Sequence, residues 1–440
     1  MGGGGLLALA GRLERRRSLL GAAKLVNVGL AMAWGFVVTS VFVRLLPFHE
    51  FRAFLLLVAF ANFTISAELG FSTVIYSRLR RTRLSGEGDF RSEELGVLLL
   101  FMSGIVGLGG LLIGAGLASG MIGTAHPVLF LAFYAASALN LIALLARRAL
   151  AALDHNLWWE ALDFLRRAAS IALLLASLVG LPILTSVLLQ LAVALAVILL
   201  GLATVQRELA MPAAHWWSLG RGWAHVRANY LGDIGRTSLL TVSDVAAYNA
   251  PYFTIAAATQ DPQPLLLFHF IFQISRASSA LVRALVETAL PDLTQHFHAR
   301  EAALFRTHLR RCLLLSLGLA LGLGVALLVA APLVSSLMFN GRLRLGHAEI
   351  GLICALLLGL TLICVSVYLQ NGLGRFAPLV MPSLAFLCGS LLSVPLGAWV
   401  GQWIAAPFAL RFAACYALVH LALAAVHGRM LARLGGQAPQ

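Results

Sequence analysis

Twelve long apolar runs decide what this chain can fold into. A helix needs about 20 apolar residues to cross roughly 30 Å of hydrocarbon, at about 1.5 Å per residue. The lipid offers no water to satisfy backbone groups, so runs of this length predict membrane-spanning α-helices and an all-α polytopic membrane protein. The predicted spans cover residues 24–46, 51–76, 95–119, 127–146, 164–181, 184–204, 231–257, 265–290, 309–331, 349–370, 376–398 and 404–426.

The composition supports this interpretation. Of the 440 residues, 60% are hydrophobic and 11% are charged, and the mean hydropathy is +0.89. A net charge of +14 would suggest a nucleic-acid partner in a soluble chain. Here the basic residues lie in short segments between the apolar runs, which is how they set membrane topology. The composition therefore argues against nucleic-acid binding.

The basic residues also predict the orientation. If the N-terminus is inside, the inner segments hold 24 of the 32 Arg and Lys residues and the outer segments hold at most four. Cytoplasmic loops carry the excess of basic residues, so we expect both termini to be cytoplasmic.

The two halves of the chain repeat the same layout. Shifting the spans of the first half by about 210 residues places them close to the spans of the second, which predicts two six-helix bundles. The predicted organisation is a basic N-terminal segment (1–23), an N-terminal bundle (24–204), a cytoplasmic linker (205–230), a C-terminal bundle (231–426) and a cytoplasmic tail (427–440).

The eighth predicted span carries a polar stripe. At 3.6 residues per turn, His269, Gln273, Arg276, Arg283 and Glu287 share one face. An arginine near the middle of a membrane helix costs at least roughly 3 kcal/mol, so Arg276, Arg283 and the adjacent Gln273 are candidate substrate-binding residues. Two cations two turns apart suit a ligand with clustered negative charge, such as a pyrophosphate. The alternative is that Arg283 and Glu287, four residues apart, neutralise each other as a structural pair.

A second polar stripe lies on the seventh predicted span. Asp244 sits near its middle, either as a protonatable or cation-pairing group facing a cavity or as the structural partner of Arg276 or Arg283. Arg236, about one turn from the cytoplasmic end, either binds the ligand or extends its side chain to the lipid headgroups. The other members of the stripe are Asp233, Thr237, Thr241, Tyr248 and Tyr252.

The first half offers fewer candidates. Asn62, Ser66 and Thr73 line one face of the second predicted span, and Asn62 is the candidate substrate-binding residue among them. Glu68 lies on a neighbouring face and is the one acid well inside a span of this half. We therefore group it with Asp244 and Glu287 as a candidate for ion coupling or charge pairing.

Signatures of enzymes and metal sites are missing from the sequence. It contains no G-x-S-x-G, H-E-x-x-H or Walker motif, and the five cysteines show no C-x-x-C spacing. The pair His49 and Glu50 stands in a short outer turn without a supporting constellation. We expect neither an enzyme nor a metal or cofactor site, and we expect His296, His298 and His308 to lie in a solvated inner loop.

Five segments carry a resemblance to a known family. They are RLLPFHEFRAFLLL (44–57), ELGFSTVIYSR (68–78), LVETALPDLTQ (285–295), APLVSSLMFNG (331–341) and NGLGRFAPLV (371–380). In this order and spacing, within a twelve-helix frame, they resemble the Wzx-type polysaccharide flippases of the multidrug/oligosaccharidyl-lipid/polysaccharide (MOP) exporter superfamily. The drug-exporting branch of the superfamily usually has an acidic residue in its first helix. Residues 24–46 of this chain contain none.

The resemblance implies a MATE/MOP-like fold in the bacterial inner membrane. It also implies alternating-access transport of an undecaprenyl-pyrophosphate-linked oligosaccharide to the outer leaflet, for cell-surface polysaccharide biosynthesis. Implied partners are the lipid-linked glycan, membrane lipids, a polysaccharide polymerase and glycosyltransferases. The alternatives are a cation-coupled multidrug exporter, with Asp244 and Glu68 as ion sites, and a non-transporting scaffold for glycan assembly. A membrane glycosyltransferase would need a large outer loop with carboxylates, which the sequence lacks.

Overall fold

A computed structural model describes residues 17–85, 90–373 and 375–436, with side chains at all of these except 17, 18, 73, 84, 85, 229, 231–237, 298 and 436. This part of the chain is all-α, with one short 3₁₀ helix, η1 (Ala213–Trp216), and no strand. The fourteen α-helices are α1 (Arg17–Leu45), α2 (Phe48–Ser66), α3 (Phe71–Ser85), α4 (Glu93–Ala118), α5 (Pro127–Ala138), α6 (Asn140–Ala152), α7 (Asn156–Ser177), α8 (Ile183–Glu208), α9 (Leu219–Ala258), α10 (Gln263–His298), α11 (Ala302–Phe339), α12 (His347–Gly372), α13 (Ala377–Val400) and α14 (Phe408–Gly436).

Proline and asparagine set several helix ends. Pro47 and Pro182 directly precede α2 and α8, and Pro127 opens α5. Proline suits these positions because its φ is already helical and its missing N–H has no partner in the first turn. Asn340 ends α11 in the left-handed conformation, with φ of 52°, which asparagine adopts more readily than most residues.

Ten helical segments of the described chain are long and apolar enough to cross a membrane, so the protein is a multi-pass membrane protein. Ten of the twelve predicted spans fall on these segments. The other two, 164–181 and 231–257, fall on α7 and α9, which have 22 and 40 residues. Both helices carry several charged residues and are not among the ten segments, so their crossing of the membrane stays a prediction.

The predicted second span, 51–76, is two helices rather than one. α2 ends at Ser66 and α3 begins at Phe71. In the turn between them, Leu69 and Gly70 have φ values of 54° and 81°. Glycine adopts such angles at little cost, and the break needs no proline. Hydropathy alone could not detect it, because the interruption is short and the run stays apolar on both sides.

Two polar segments that the sequence analysis assigned to loops are helical. α10 continues to His298 and α11 begins at Ala302, so His296 and His308 lie on helices, and the solvated-loop prediction for them is wrong. The side chain of His298 lies outside the described part. Hydropathy ends a predicted span where polarity rises, whereas backbone hydrogen bonding continues into the polar residues. Within the predicted linker, η1 and the first turns of α9 are likewise helical.

The chain divides into two compact units, Met1–Val242 and Ser243–Gln440, with α9 contributing to both. In the N-terminal unit, α7 packs against α1 and α8, and α3 packs against α6. Its core includes Phe71, Leu98, Met102 and Tyr230. In the C-terminal unit, α14 packs against α12 and α13, and α10 packs against α11 and α12.

Candidate functional site

The polar stripe of α10 places two arginines on the surface of the C-terminal unit. Arg276 is exposed and acts electrostatically on Tyr252. Arg283 donates from Nε to Glu287 Oε1 at 2.7 Å, and both side chains are about half exposed, at 53% and 54%. The Arg283 guanidinium also lies over the Tyr368 ring, with Cζ 5.6 Å from the ring centroid. The intrahelical pair considered in the sequence analysis is therefore present.

The pair leaves much of the Arg283 guanidinium available. Only Nε bonds to Glu287, and the two terminal nitrogens donate no hydrogen bond among the described residues. A planar guanidinium held at Nε still presents a two-pronged edge that matches two phosphate oxygens. The structure thus allows Arg283 to be both a partner of Glu287 and a ligand for an oxyanion.

Asp244 lies on α9 in the same unit and is exposed. Its carboxylate is within electrostatic range of the phenol groups of Tyr248, Tyr368 and Tyr416. Among the described residues it makes no hydrogen bond or ion pair, and the acid that pairs with Arg283 is Glu287. An exposed carboxylate in a membrane helix needs polar surroundings, so Asp244 marks a polar surface of this unit.

The polar stripes of α9 and α10 contact each other through side chains for which the sequence predicted no partner. The Tyr252 hydroxyl lies 2.6 Å from His269 Nδ1, and His269 Nε2 lies 3.4 Å from Gln273 Nε2. All three side chains are buried. Gln273, a predicted substrate-binding residue, is thus placed against His269 in the interior of the unit. The sequence placed Tyr252 and His269 each on a polar stripe, but it did not show that the two side chains pair.

The candidates of the N-terminal unit are spread out. Asn62 lies partly buried on α2, whereas Glu68 lies in the turn between α2 and α3. The Glu68 Oε2 atom is buried, and no described residue forms a hydrogen bond with it. The side chains of Arg236 and Thr73 fall outside the described part of the structure, so their proposed roles stay predictions.

A buried charge network in the N-terminal unit was missed by the sequence analysis. Glu94, at the start of α4, is fully buried and accepts from Arg78 Nη2 at 3.2 Å and from the Arg91 backbone N–H at 3.1 Å. His225 Nε2 lies 3.0 Å from the same carboxylate, and the Tyr230 hydroxyl donates to its other oxygen. Arg78 also lies over the Tyr230 ring. This network joins α3, α4 and α9. No sequence pattern links positions so far apart.

A second buried acid, Glu160, connects α7 with α1. Asn27 donates from Nδ2 to Glu160 Oε2 at 2.6 Å and to the Glu160 backbone carbonyl at 2.8 Å. Arg147 Nη2 lies 3.7 Å from Glu160 Oε1. Because Glu160 and Asn27 are both buried, this contact fixes how the first helix packs on α7.

Asp163, one turn further along α7, is also paired. Its two oxygens contact Arg166 Nη2 at 2.6 Å and Arg167 Nε at 2.8 Å. Arg166 additionally donates from Nη1 to Asn140 Oδ1 at 2.8 Å. Both oxygens of Asp163 are engaged by arginines of the same helix, so this cluster is a packing element. By contrast, the Asp244 carboxylate and the terminal nitrogens of Arg283 make no hydrogen bond among the described residues.

Comparison with known proteins identifies the fold. No protein-family model matches the sequence, and no curated protein matches it. Solved structures match over nearly the whole chain. One is the inward-facing conformation of a multidrug resistance MATE family transporter of the MOP superfamily, at 15% identity, 93% coverage of this chain and 96% of that chain, with a TM-score of 0.65.

Two further structures agree. The outward-facing conformation of a multidrug resistance MATE family transporter is 13% identical, with 97% coverage of both chains and a TM-score of 0.62. The eukaryotic MATE transporter AtDTX14 is 12% identical, with 98% of this chain and 99% of that chain covered and a TM-score of 0.65. At these identities the similarity establishes the fold alone. The chain therefore has the all-helical fold of MATE transporters of the MOP superfamily.

Proposed function

We propose that the protein is an alternating-access flippase that moves an undecaprenyl-pyrophosphate-linked oligosaccharide from the cytoplasmic to the outer leaflet for cell-surface polysaccharide biosynthesis. The observation that carries the proposal is the pair of exposed arginines on α10. Arg276 and Arg283 are two turns, about 10 Å, apart on one helix. Arg283 keeps its two terminal nitrogens available beside Glu287. A pyrophosphate has charge and oxygen atoms enough to engage both guanidinium groups.

Alternating access is supported by the fold. Structures with this fold are described in both inward-facing and outward-facing conformations. A substrate with an anionic headgroup and a lipid tail needs a cationic surface that is reachable from each leaflet in turn. In this proposal the protein resides in the bacterial inner membrane and works beside glycosyltransferases and a polysaccharide polymerase.

A second candidate function is a cation-coupled multidrug exporter. The observation that favours it is Asp244, an exposed carboxylate that makes no ion pair among the described residues and suits a cationic drug or a coupling ion. The similar structures are described as multidrug resistance transporters, which supports this reading equally well. A scaffold that does not transport is the third candidate, and it predicts that Arg276, Arg283 and Asp244 are all dispensable.

The deciding experiment compares two substrates in proteoliposomes containing the full-length protein. One assay follows movement of a fluorescent undecaprenyl-pyrophosphate oligosaccharide, and the other follows export of the cationic dye ethidium. We expect the first substrate to move and the second not to move. Arg276→Gln with Arg283→Gln should stop lipid movement without loss of protein. Ethidium export without lipid movement would establish the exporter instead, and inactivity toward both substrates would contradict the flippase.

A further inference from the structure

Two exposed tryptophans and two exposed arginines lie close together in sequence at the start of α9. Trp217 and Trp223 are 78% and 54% exposed, and Arg221 and Arg227 are exposed as well. Trp223 and Arg227, four residues apart, share one face of the helix. Among the described residues neither arginine forms an ion pair. We name these four residues the Trp-Arg surface. The proposed transport function assigns it no role.

The segment that carries the Trp-Arg surface packs closely against α4 and α8. The preceding Trp216 donates from Nε1 to Gln206 Oε1 at 3.1 Å. A Cβ on Gly96 would lie 2.6 Å from the Trp216 carbonyl oxygen, and one on Gly222 would lie 2.6 Å from the Glu93 carbonyl oxygen. The backbones of η1 and α9 therefore lie directly on α4. The tryptophans are exposed on a packed element rather than on a loosely attached loop.

The contacts with α4 and α8 also indicate how deep the Trp-Arg surface lies in the membrane. Glu93 and Gly96 belong to the first turn of the span Glu93–Ala118, and Gln206 belongs to the last turn of the span Ile183–Glu208. A surface that packs on the ends of two spans lies where hydrocarbon gives way to headgroups. Tryptophan is favoured at this level because its ring is apolar and its N–H is polar.

The chemistry of the four side chains selects the occupant. Arginine side chains extend along apolar surface while the guanidinium stays at the headgroups, where it can bond two phosphate oxygens. Two guanidinium groups without a carboxylate partner favour an anionic headgroup over a zwitterionic one. We propose that the Trp-Arg surface is a binding site for the headgroups of anionic phospholipids. The assignment is independent of which substrate the transporter carries.

The experiment uses the full-length protein in phosphatidylcholine vesicles and measures tryptophan fluorescence. Phosphatidylglycerol or phosphatidylcholine brominated near the headgroup is added at equal mole fraction, and bromine quenches tryptophans in contact with it. We expect stronger quenching by the brominated phosphatidylglycerol, and we expect Trp217→Phe with Trp223→Phe to remove this difference. Each of Arg221→Gln and Arg227→Gln should lower the apparent affinity for phosphatidylglycerol about fivefold, the fold-change equivalent to about 1 kcal/mol per basic residue.

A matched control is available in the C-terminal unit. Trp399 and Trp403 are also exposed, and replacing both by Phe should leave the preference for phosphatidylglycerol unchanged. Equal quenching by the two lipids would overturn the proposal, since it would mean an interfacial aromatic pair without selection for charge. The proposal also fails if inorganic phosphate at millimolar concentration abolishes the preference, or if neither lipid quenches Trp217 and Trp223. In that last case the surface faces water or another protein.

Discussion

At the scale of single residues, Arg283 has both a structural contact, with Glu287, and a proposed role in substrate binding. Its bond to Glu287 is a half-exposed intrahelical pair, and such pairs contribute at most about 1 kcal/mol to stability. Exchanging the two residues, Arg283→Glu with Glu287→Arg, should therefore leave the fold intact. It moves the guanidinium one turn along α10, away from its spacing with Arg276, so we expect transport to be lost.

The measurement for this exchange is thermal stability in detergent beside movement of the lipid-linked oligosaccharide. Arg283→Lys with Glu287 retained is the companion variant. This variant should keep only part of the transport activity, because an ammonium group lacks the two-pronged geometry of a guanidinium group. Full transport in the exchanged variant would mean that the pair is structural and that Arg283 does not bind the substrate.

Stripe patterns predicted the residues of α10 and α9 better than they predicted the contacts between them. Arg283 and Glu287 pair as their spacing allows, because both partners lie on one helix. The contact of Tyr252 with His269 depends on the angle between two helices, which periodicity does not encode. The Glu94 network depends on three helices and could not be derived from the sequence at all.

At the scale of helices, the Glu94 network holds α3, α4 and α9 together. Its carboxylate is fully buried, and Glu94→Gln would leave the Arg78 guanidinium in a poorly solvated site without its counter-charge. Removing one partner of a buried pair costs about 3–5 kcal/mol, so we expect a marked fall in thermal stability. The matched control is Asp154→Asn, which removes the half-exposed acid that contacts Arg80. It should cost at most about 1 kcal/mol. Equal effects of the two variants in a thermal denaturation assay would contradict the structural role given to Glu94.

Two glycines in the same turn of α9 make a second test at this scale. A Cβ on Gly222 would lie 2.6 Å from the Glu93 carbonyl oxygen, whereas a Cβ on Gly220 would meet nothing within 4 Å. Gly222→Ala should push α9 away from α4 and destabilise the N-terminal unit. Gly220→Ala should stabilise by about 0.5–1 kcal/mol, because alanine favours the helix. Hydrogen exchange of the α9 amides reports both effects, and protection unchanged by Gly222→Ala would show that the close approach is not required.

The helix bounds show which features of the helices hydropathy predicts and which it does not predict. It located the long apolar cores of ten spans, because length and composition are properties of the sequence. It did not find the break at Leu69 and Gly70, which depends on local φ angles. Nor did it find the helical continuation of α10 past Pro291 to His298, where polar residues follow the apolar run.

At the scale of the whole molecule, the fold class followed from the sequence, whereas the substrate does not follow from the fold. MATE transporters with 12–15% identity share the architecture, and at such identities a shared architecture does not specify a ligand. A transport cycle must also return the empty protein to its starting conformation. When an anionic substrate leaves, the surface that carries Arg276 and Arg283 loses that negative charge, and a nearby carboxylate would lower the cost of the positive charge that remains.

Asp244 is the group in the same unit that could offset this cost. It is exposed, and it lies on the helix that precedes the one carrying both arginines. We expect its carboxylate to stabilise the empty state, and a proton or cation taken up by Asp244 when substrate binds would couple transport to an ion gradient. The variant Asp244→Asn should therefore bind the lipid-linked oligosaccharide normally and turn over slowly. The measurement is flipping in proteoliposomes under pH and sodium gradients applied in turn, with Asp261→Asn, an exposed acid in the turn after α9, as the control. If Asp244→Asn responds to either gradient as the unmodified protein does, Asp244 does not couple transport and serves as a structural group only.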